Sequence, residues 1–134
     1  MNQCVLDTSV ASLMYDASPL YLPYDGHVQS ASIFVSFQTV GEMRYGARKS
    51  SWGIARRQRL EAFLTSLQVV GYTDELAHHW AQIMHDAQTV GRRLEAGDGW
   101  IAATALLLNA PLLTHDKDFD TQACPSITII RYTP

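Results

Sequence analysis

The chain reads as an α/β protein, a three-layer α/β/α fold with a mostly parallel sheet of about five strands. Three observations predict it. Short β-branched or apolar runs alternate with segments of helical periodicity, the order that builds a parallel sheet covered on both faces. Carboxylates recur just after those runs, at Asp7, Glu42 and Asp116, and another, Asp98, opens the most apolar helix. The 134 residues, 47% hydrophobic and 17% charged, are enough for a core without disulfides or structural metal. No repeat, low-complexity run or linker divides them, so residues 1–134 are expected to form a single domain.

Gln3 to Leu6 is a short apolar strand ending at Asp7-Thr8-Ser9, and Val10, Ala11, Leu13 and Met14 follow at helical spacing. Ala17 to Gln29 holds Pro19, Pro23 and Gly26 with Tyr21, Leu22 and Tyr24 between them, and reads as loop or irregular helix. Ser32 to Phe37 is a β-branched and aromatic strand. Gln38 or Thr39 then caps a helix carrying Val40, Met43 and Ala47, with Glu42 in its first turns. Lys49 to Gly53 breaks the chain before a longer helix with Leu60, Phe63, Leu64 and Leu67 on one stripe.

Gln68 to Tyr72 is a third strand, and Asp74 caps a helix with Leu76, Trp80, Ile83, Met84 and Ala87 on its apolar face. Gly91-Arg92-Arg93 ends that helix. Asp98 stands where a helix N-cap is wanted, before Trp100 to Leu108, a run with no polar face that belongs inside the fold. Asn109-Ala110-Pro111 breaks it, Leu112 and Leu113 form a buried strand, and Ile127 to Ile130 forms the last.

The formal net charge of −3 argues against a protein that grips nucleic acid by bulk positive charge, although an acidic catalytic site is compatible with it. Cys4 and Cys124 are the only cysteines, each beside a predicted strand, and read as buried free thiols in a reducing cytosol. The N-terminus MNQCVLD lacks the pattern of a signal peptide, and no apolar run reaches the length of a membrane span. A cytoplasmic location is the expectation.

Ligands of an open α/β sheet gather at the carboxyl ends of its strands. Asp7, Glu42, Asp98 and Asp116 all fall where that edge would collect them. Four such carboxylates repel one another unless protons or a cation offset the charge, and oxygen-only ligands suit Mg²⁺ or Mn²⁺. Such a site suits metal-assisted hydrolysis of a phosphodiester, with no histidine or serine required as base or nucleophile.

The blocks VLDTSV (Val5 to Val10), TVGEMRYGA (Thr39 to Ala47), GDGWIAATAL (Gly97 to Leu106) and LLTHDKDF (Leu112 to Phe119) resemble the PIN domain. The likeness is nearest to the toxin ribonucleases of VapBC toxin–antitoxin pairs, and it runs from the first strand to the last. It implies a PIN-like fold and a metal-dependent endoribonuclease with Asp7, Glu42, Asp98 and Asp116 as its acidic quartet. Asp7 and Asp98 would be the principal metal ligands. Ser9 and Thr114 match small hydroxyl positions that would orient water at the metal. A cognate VapB-type antitoxin over the groove between the early helices, a homodimer and an RNA substrate are also implied.

Six of the ten basic residues are Arg44, Arg48, Lys49, Arg56, Arg57 and Arg59. They are either a solvated helical face or, with Arg92 and Arg93, a rim for RNA phosphates. Glu95 lies near the site in sequence, while Asp118 and Asp120 read as exposed turn acids. His78, His79 and His85 fit a surface helix better than a metal site; Trp52, Trp80 and Trp100 read as core or interface anchors. Two alternatives compete with the toxin. One is a free-standing RNA-processing PIN nuclease. The other is a receiver-like signalling module, which would want an Asp after its middle strand and a Lys after its last; here the third strand ends in Val70-Gly71-Tyr72 and that Lys is missing.

Overall fold

The computed structural model describes residues 2–132. Five strands, β1 (Gln3–Leu6), β2 (Ser32–Ser36), β3 (Gln68–Val70), β4 (Leu112–Leu113) and β5 (Ile129–Ile130), form one sheet in the order β3-β2-β1-β4-β5. Every pairing is parallel. The helices are α1 (Thr8–Tyr15), α2 (Leu22–Gln29), α3 (Phe37–Lys49), α4 (Ile54–Thr65), α5 (Asp74–Thr89) and α6 (Ala96–Leu108).

Side chains of a strand alternate between the two faces of the sheet, and the core divides accordingly. Cys4 and Leu6 of β1, Val35 of β2 and Leu113 of β4 pack with Val10, Tyr24, Met43, Leu60 and Leu64 of α1 to α4. Val5 and Leu112 point the other way and pack with Ile83 and Ala87 of α5, Ile101, Ala102 and Ala105 of α6, and Phe119. Three layers result. Both cysteines are buried free thiols, one in each half of the core.

Several local expectations shift. Ala17 to Gln29 resolves into a 3-10 turn, Pro19–Tyr21, and then α2. Ser18 caps the turn by accepting from Leu20 N–H, and both prolines sit in first-turn positions where no N–H is required. Ser36, not Gln38 or Thr39, caps α3, and Thr73, not Asp74, caps α5. The third strand stops at Val70 instead of Tyr72, and the last contains only Ile129 and Ile130.

The correction that matters for function is at Asp98. The helix starts three residues earlier than a cap at Asp98 requires, with Glu95 as its N-cap residue, so Asp98 lies inside the first turn. Small residues allow this: Gly97 and Gly99 let the first turn approach Gln38 and Trp80, and the Trp80 indole N–H donates to Ala96 O at 3.0 Å. Periodicity of large apolar residues begins only at Trp100, which made Asp98 look like the boundary. Relieved of capping, its carboxylate lies beside those of Asp116 and Asp118.

Candidate metal centre

In a doubly wound sheet the crevice lies where strand order reverses, outside the carboxyl ends of the strands. Here that point falls between β1 and β4. Asp7 follows β1 directly, and Asp116 comes three residues after β4. A receiver-type sheet has the order 2-1-3-4-5; the order observed here is different.

Asp7 is buried and is the N-cap of α1, its Oδ1 accepting from Val10 N–H at 2.9 Å and from the Ser9 hydroxyl at 2.6 Å. Its Oδ2 accepts a short bond from the Thr114 hydroxyl. Burial raises the Asp7 pKa, these three donors pull it down, and nearby Asp116 raises it again. Ser9 Oγ also accepts from His115 N–H at 2.9 Å, and Thr114 Oγ1 from Asp116 N–H at 3.0 Å. Each of the two hydroxyls, which the resemblance assigned to orient water at the metal, donates to the Asp7 carboxylate.

Glu42, on α3, accepts from Gln38 Nε2 at 2.9 Å, one turn earlier on the same helix. Gly97 is what makes room: a Cβ there would lie 2.6 Å from Gln38 Nε2 and 3.5 Å from Glu42 Oε2. Asp98 is pushed up to about 7, chiefly by burial and then by the negative fields of Asp116, Glu42, Asp118 and Asp7. All four expected acids therefore act within one electrostatic pocket.

The tightest grouping is different from the expected quartet. Oxygens of Asp98, Asp116 and Asp118 lie within 4.8 Å of one another, whereas Asp7 and Glu42 stand outside that trio. The donors are carboxylate oxygens only, which fits a hard divalent cation. Asp118 is exposed, as its turn position suggested, yet it belongs to the cluster. Glu95 does not: it points to Arg93 at 3.8 Å. Asp120 is paired with Arg92 and accepts from Ala123 N–H at 2.8 Å.

Three supporting residues escaped the sequence reading. Tyr24, fully buried, donates to Thr114 O at 2.8 Å and accepts from Tyr132 N–H at 3.0 Å. His115 Nδ1 lies 2.7 Å from the same hydroxyl, so this side chain points away from Asp7 while Thr114 points toward it. Arg131 Nη1 donates to Phe119 O at 2.6 Å and Asp116 O at 3.3 Å, clasping the acidic turn. Gln38 is the third. Their partners are distant in sequence or hidden by helical phase, and composition carries no trace of them.

Of the expected basic rim, Arg44 makes a forked pair with Glu61 at 2.7 and 3.0 Å, and Arg92 bonds Asp120 and Gln122. Arg48 and Lys49 are exposed on the last turn of α3. Trp80 and Trp100 stack at 5.2 Å behind the site, and His78 and His79 sit on the surface helix beside Asp74 and Glu75.

Fold and site together define the class: this chain belongs to the PIN domain family, whose profile matches residues 4–123. Among named relatives it is similar to Ribonuclease VapC4 of Mycobacterium tuberculosis, 30% identical over 72% of this chain and 74% of that protein. It is similar to the solved VapBC-5 toxin–antitoxin structure from Mycobacterium tuberculosis, with 28% identity, TM-score 0.71, and coverage of 98% of this chain and 100% of that one. VapBC2 from Rickettsia felis, solved bound to a promoter DNA fragment, shares the fold at TM-score 0.82 and 20% identity, covering 97% of this chain and 98% of that one. Among the described residues, no helix is long and apolar enough to cross a membrane.

Proposed function

We propose that this chain is the toxin of a VapBC-type pair, a Mg²⁺-dependent endoribonuclease (Mn²⁺ also fitting) held inactive by a VapB-type antitoxin. The observation that carries the reading is the convergence of carboxylates from separate elements on the β1/β4 crevice, where oxygens of Asp98, Asp116 and Asp118 lie within 4.8 Å of one another. The names of the relatives support it. Asp98 and Asp116 would hold the cation, with Asp7 and Glu42 beside them. When bound, the cation offsets the clustered charge, acidifies the attacking water and steadies the leaving oxygen.

The chain's own contribution is to keep those oxygens aimed. Ser9 and Thr114 fix both oxygens of Asp7, Gln38 holds Glu42, and Tyr24 and Arg131 hold the segment carrying Thr114 and Asp116. Such preorganisation places charge before the substrate arrives, where it is most effective.

The antitoxin reading rests on a groove of about 420 Å³ between α3 and α4, lined by Arg44, Ala47, Arg48, Ile54, Arg57 and Leu60. Ile54, two-thirds exposed, gives this groove apolar surface. A smaller cavity of about 240 Å³ shares Ala47 and Leu60 and continues to Thr8 and Glu42. In this reading a partner segment lies along the groove and extends over Glu42, where a basic side chain would take the place of the cation. A homodimer belongs to the same reading.

The test is to induce this chain alone and sequence new RNA 5′ ends, beside Asp98→Ala. New ends that vanish in the variant, and again when a neighbouring antitoxin gene is co-expressed, are expected. Ends that persist in Asp98→Ala sink the nuclease assignment; ends insensitive to any neighbouring gene leave a free-standing nuclease.

A further inference from the structure

Beside the acidic pocket, α3 borders a cavity of another character. About 360 Å³ in volume, it is lined by Phe37, Gln38, Gly41, Glu42 and Tyr45. Phe37, Gly41 and Tyr45 recur at every fourth residue, which sets them in a row along one side of the helix, about 6 Å apart on its axis. Gly41 is the gap in that row: a Cβ there would meet nothing within 4 Å. A helical side chain leans over the turn N-terminal to its own Cα, so the Tyr45 ring, two-thirds exposed, overhangs the gap. Phe37 forms the opposite wall. It is backed by Trp100 at 5.7 Å between ring centroids, with Trp80 stacked behind at 5.2 Å.

The chemistry of the walls selects the ligand. Two aromatic rings flanking bare helix backbone accept a flat π-system, and every nucleobase has one. None of the lining residues is basic and Glu42 contributes a carboxylate, so a phosphate in the same space is repelled. Gln38 and Glu42 belong both to this cavity and to the acidic pocket, Gln38 Nε2 donating to Glu42 Oε2 at 2.9 Å. Whatever lies over Gly41 therefore adjoins the reacting centre. Arg48, exposed and three residues beyond Tyr45 on the same side of α3, offers a cation to a phosphate further along the strand, whereas Arg44 is tied to Glu61.

We propose, resting on the ribonuclease reading above, that this cavity is a nucleobase slot: an unpaired base next to the scissile phosphate lies over Gly41 and stacks on Tyr45, with Phe37 as its far wall. A base inside a duplex has both faces covered and cannot enter, so the slot selects single-stranded segments.

The test is binding. Short unstructured RNAs, each with a fluorescent purine analogue at a single position, are titrated into the full chain carrying Asp98→Asn, which blocks cleavage and removes a repelling charge. Stacking should quench the analogue only at positions beside the cleavage site. Tyr45→Ala and Gly41→Leu, each added to that parent, should weaken binding about tenfold or more and abolish the quenching. Tyr45→Phe, which keeps the ring, and Tyr72→Ala, equally exposed but outside the cavity, should stay near the parent. Gly41→Leu fills the gap without a clash and gains helix propensity, so its Tm should match or exceed the parent's. Duplex RNA of the same sequence should bind all of them alike. Undiminished affinity in Tyr45→Ala and Gly41→Leu, or an equal loss for duplex, overturns the slot and leaves the nuclease standing. So does a change from dimer to monomer on sedimentation of these variants, which makes this face a contact between copies of the chain. A parent chain that binds no RNA overturns both the slot and the ribonuclease reading.

Discussion

The Thr114 hydroxyl donates to Asp7 Oδ2 across 107 positions of sequence, joining the ends of the two strands that flank the crevice. Thr114 Oγ1 in turn accepts from Asp116 N–H, so one buried side chain sets the spacing of two acids. Thr114→Val removes both bonds while keeping shape. It should lower stability by about 1–3 kcal/mol and reduce RNA cleavage at saturating metal, with Thr114→Ser restoring most of each. Chemical denaturation and a cleavage assay on both variants decide this; a neutral valine would mean that Asp7 needs no orienting group.

Two glycines of α6 make opposite predictions. At Gly99 a Cβ would lie 2.6 Å from Met84 Sδ and 2.8 Å from Trp80 Nε1, and Trp80 is pinned by its bond to Ala96 O. Gly99→Ala should destabilise by about 1–3 kcal/mol and perturb tryptophan fluorescence. At Gly97 the near neighbour is the flexible end of Gln38, which can move away. Gly97→Ala should therefore hold its stability within about 1 kcal/mol, while Glu42 loses its partner and cleavage falls about tenfold or more.

Stability should depend on pH and metal in a linked way. Asp98 is raised to about 7 in the folded chain, above its unfolded range near 4, and Asp7 is raised as well. Between those limits the folded state binds more protons than the unfolded one, so stability falls as pH rises. Metal-free Tm should drop from pH 5 to pH 8, and Mg²⁺ or Mn²⁺ should recover it most at pH 8. A Tm in EDTA that climbs over this range contradicts the clustered-acid picture.

Arg92 and Arg48 separate structure from RNA contact. Arg92 is engaged with Asp120 and Gln122, so Arg92→Ala should cost up to about 1 kcal/mol and leave the salt dependence of RNA binding unchanged. Arg48 is exposed beside the groove, and Arg48→Ala should flatten the plot of log affinity against log salt by about one unit if it meets a phosphate. Binding measured at several salt concentrations distinguishes them.

How much was legible without coordinates follows from what each signal measures. Short apolar runs marked Val5, Leu6, Leu112 and Leu113 as buried strand, and the acids after those runs, Asp7 and Asp116, pointed to one edge. Those are local patterns, and local patterns survive translation into a fold. The start of α6 was misplaced because its first turn is built from Ala96, Gly97 and Gly99, whose helical fitness comes from packing against Trp80 and Gln38. The Ala17 to Gln29 segment stayed ambiguous because it contains two prolines and a glycine; contacts such as the Tyr24 hydroxyl with Thr114 O order it.

By itself, the order of residues determined a parallel α/β architecture, because short apolar runs alternating with segments of helical spacing fix which stretches become strand and which become helix. Only the tertiary structure decided that Asp98 lies inside the first turn of α6 instead of capping it, that the hydroxyls of Ser9 and Thr114 donate to Asp7, and that Asp118 lies beside Asp98 and Asp116. Those assignments depend on distances of a few ångströms between segments far apart in the chain, and such distances exist only after both faces of the sheet have been packed.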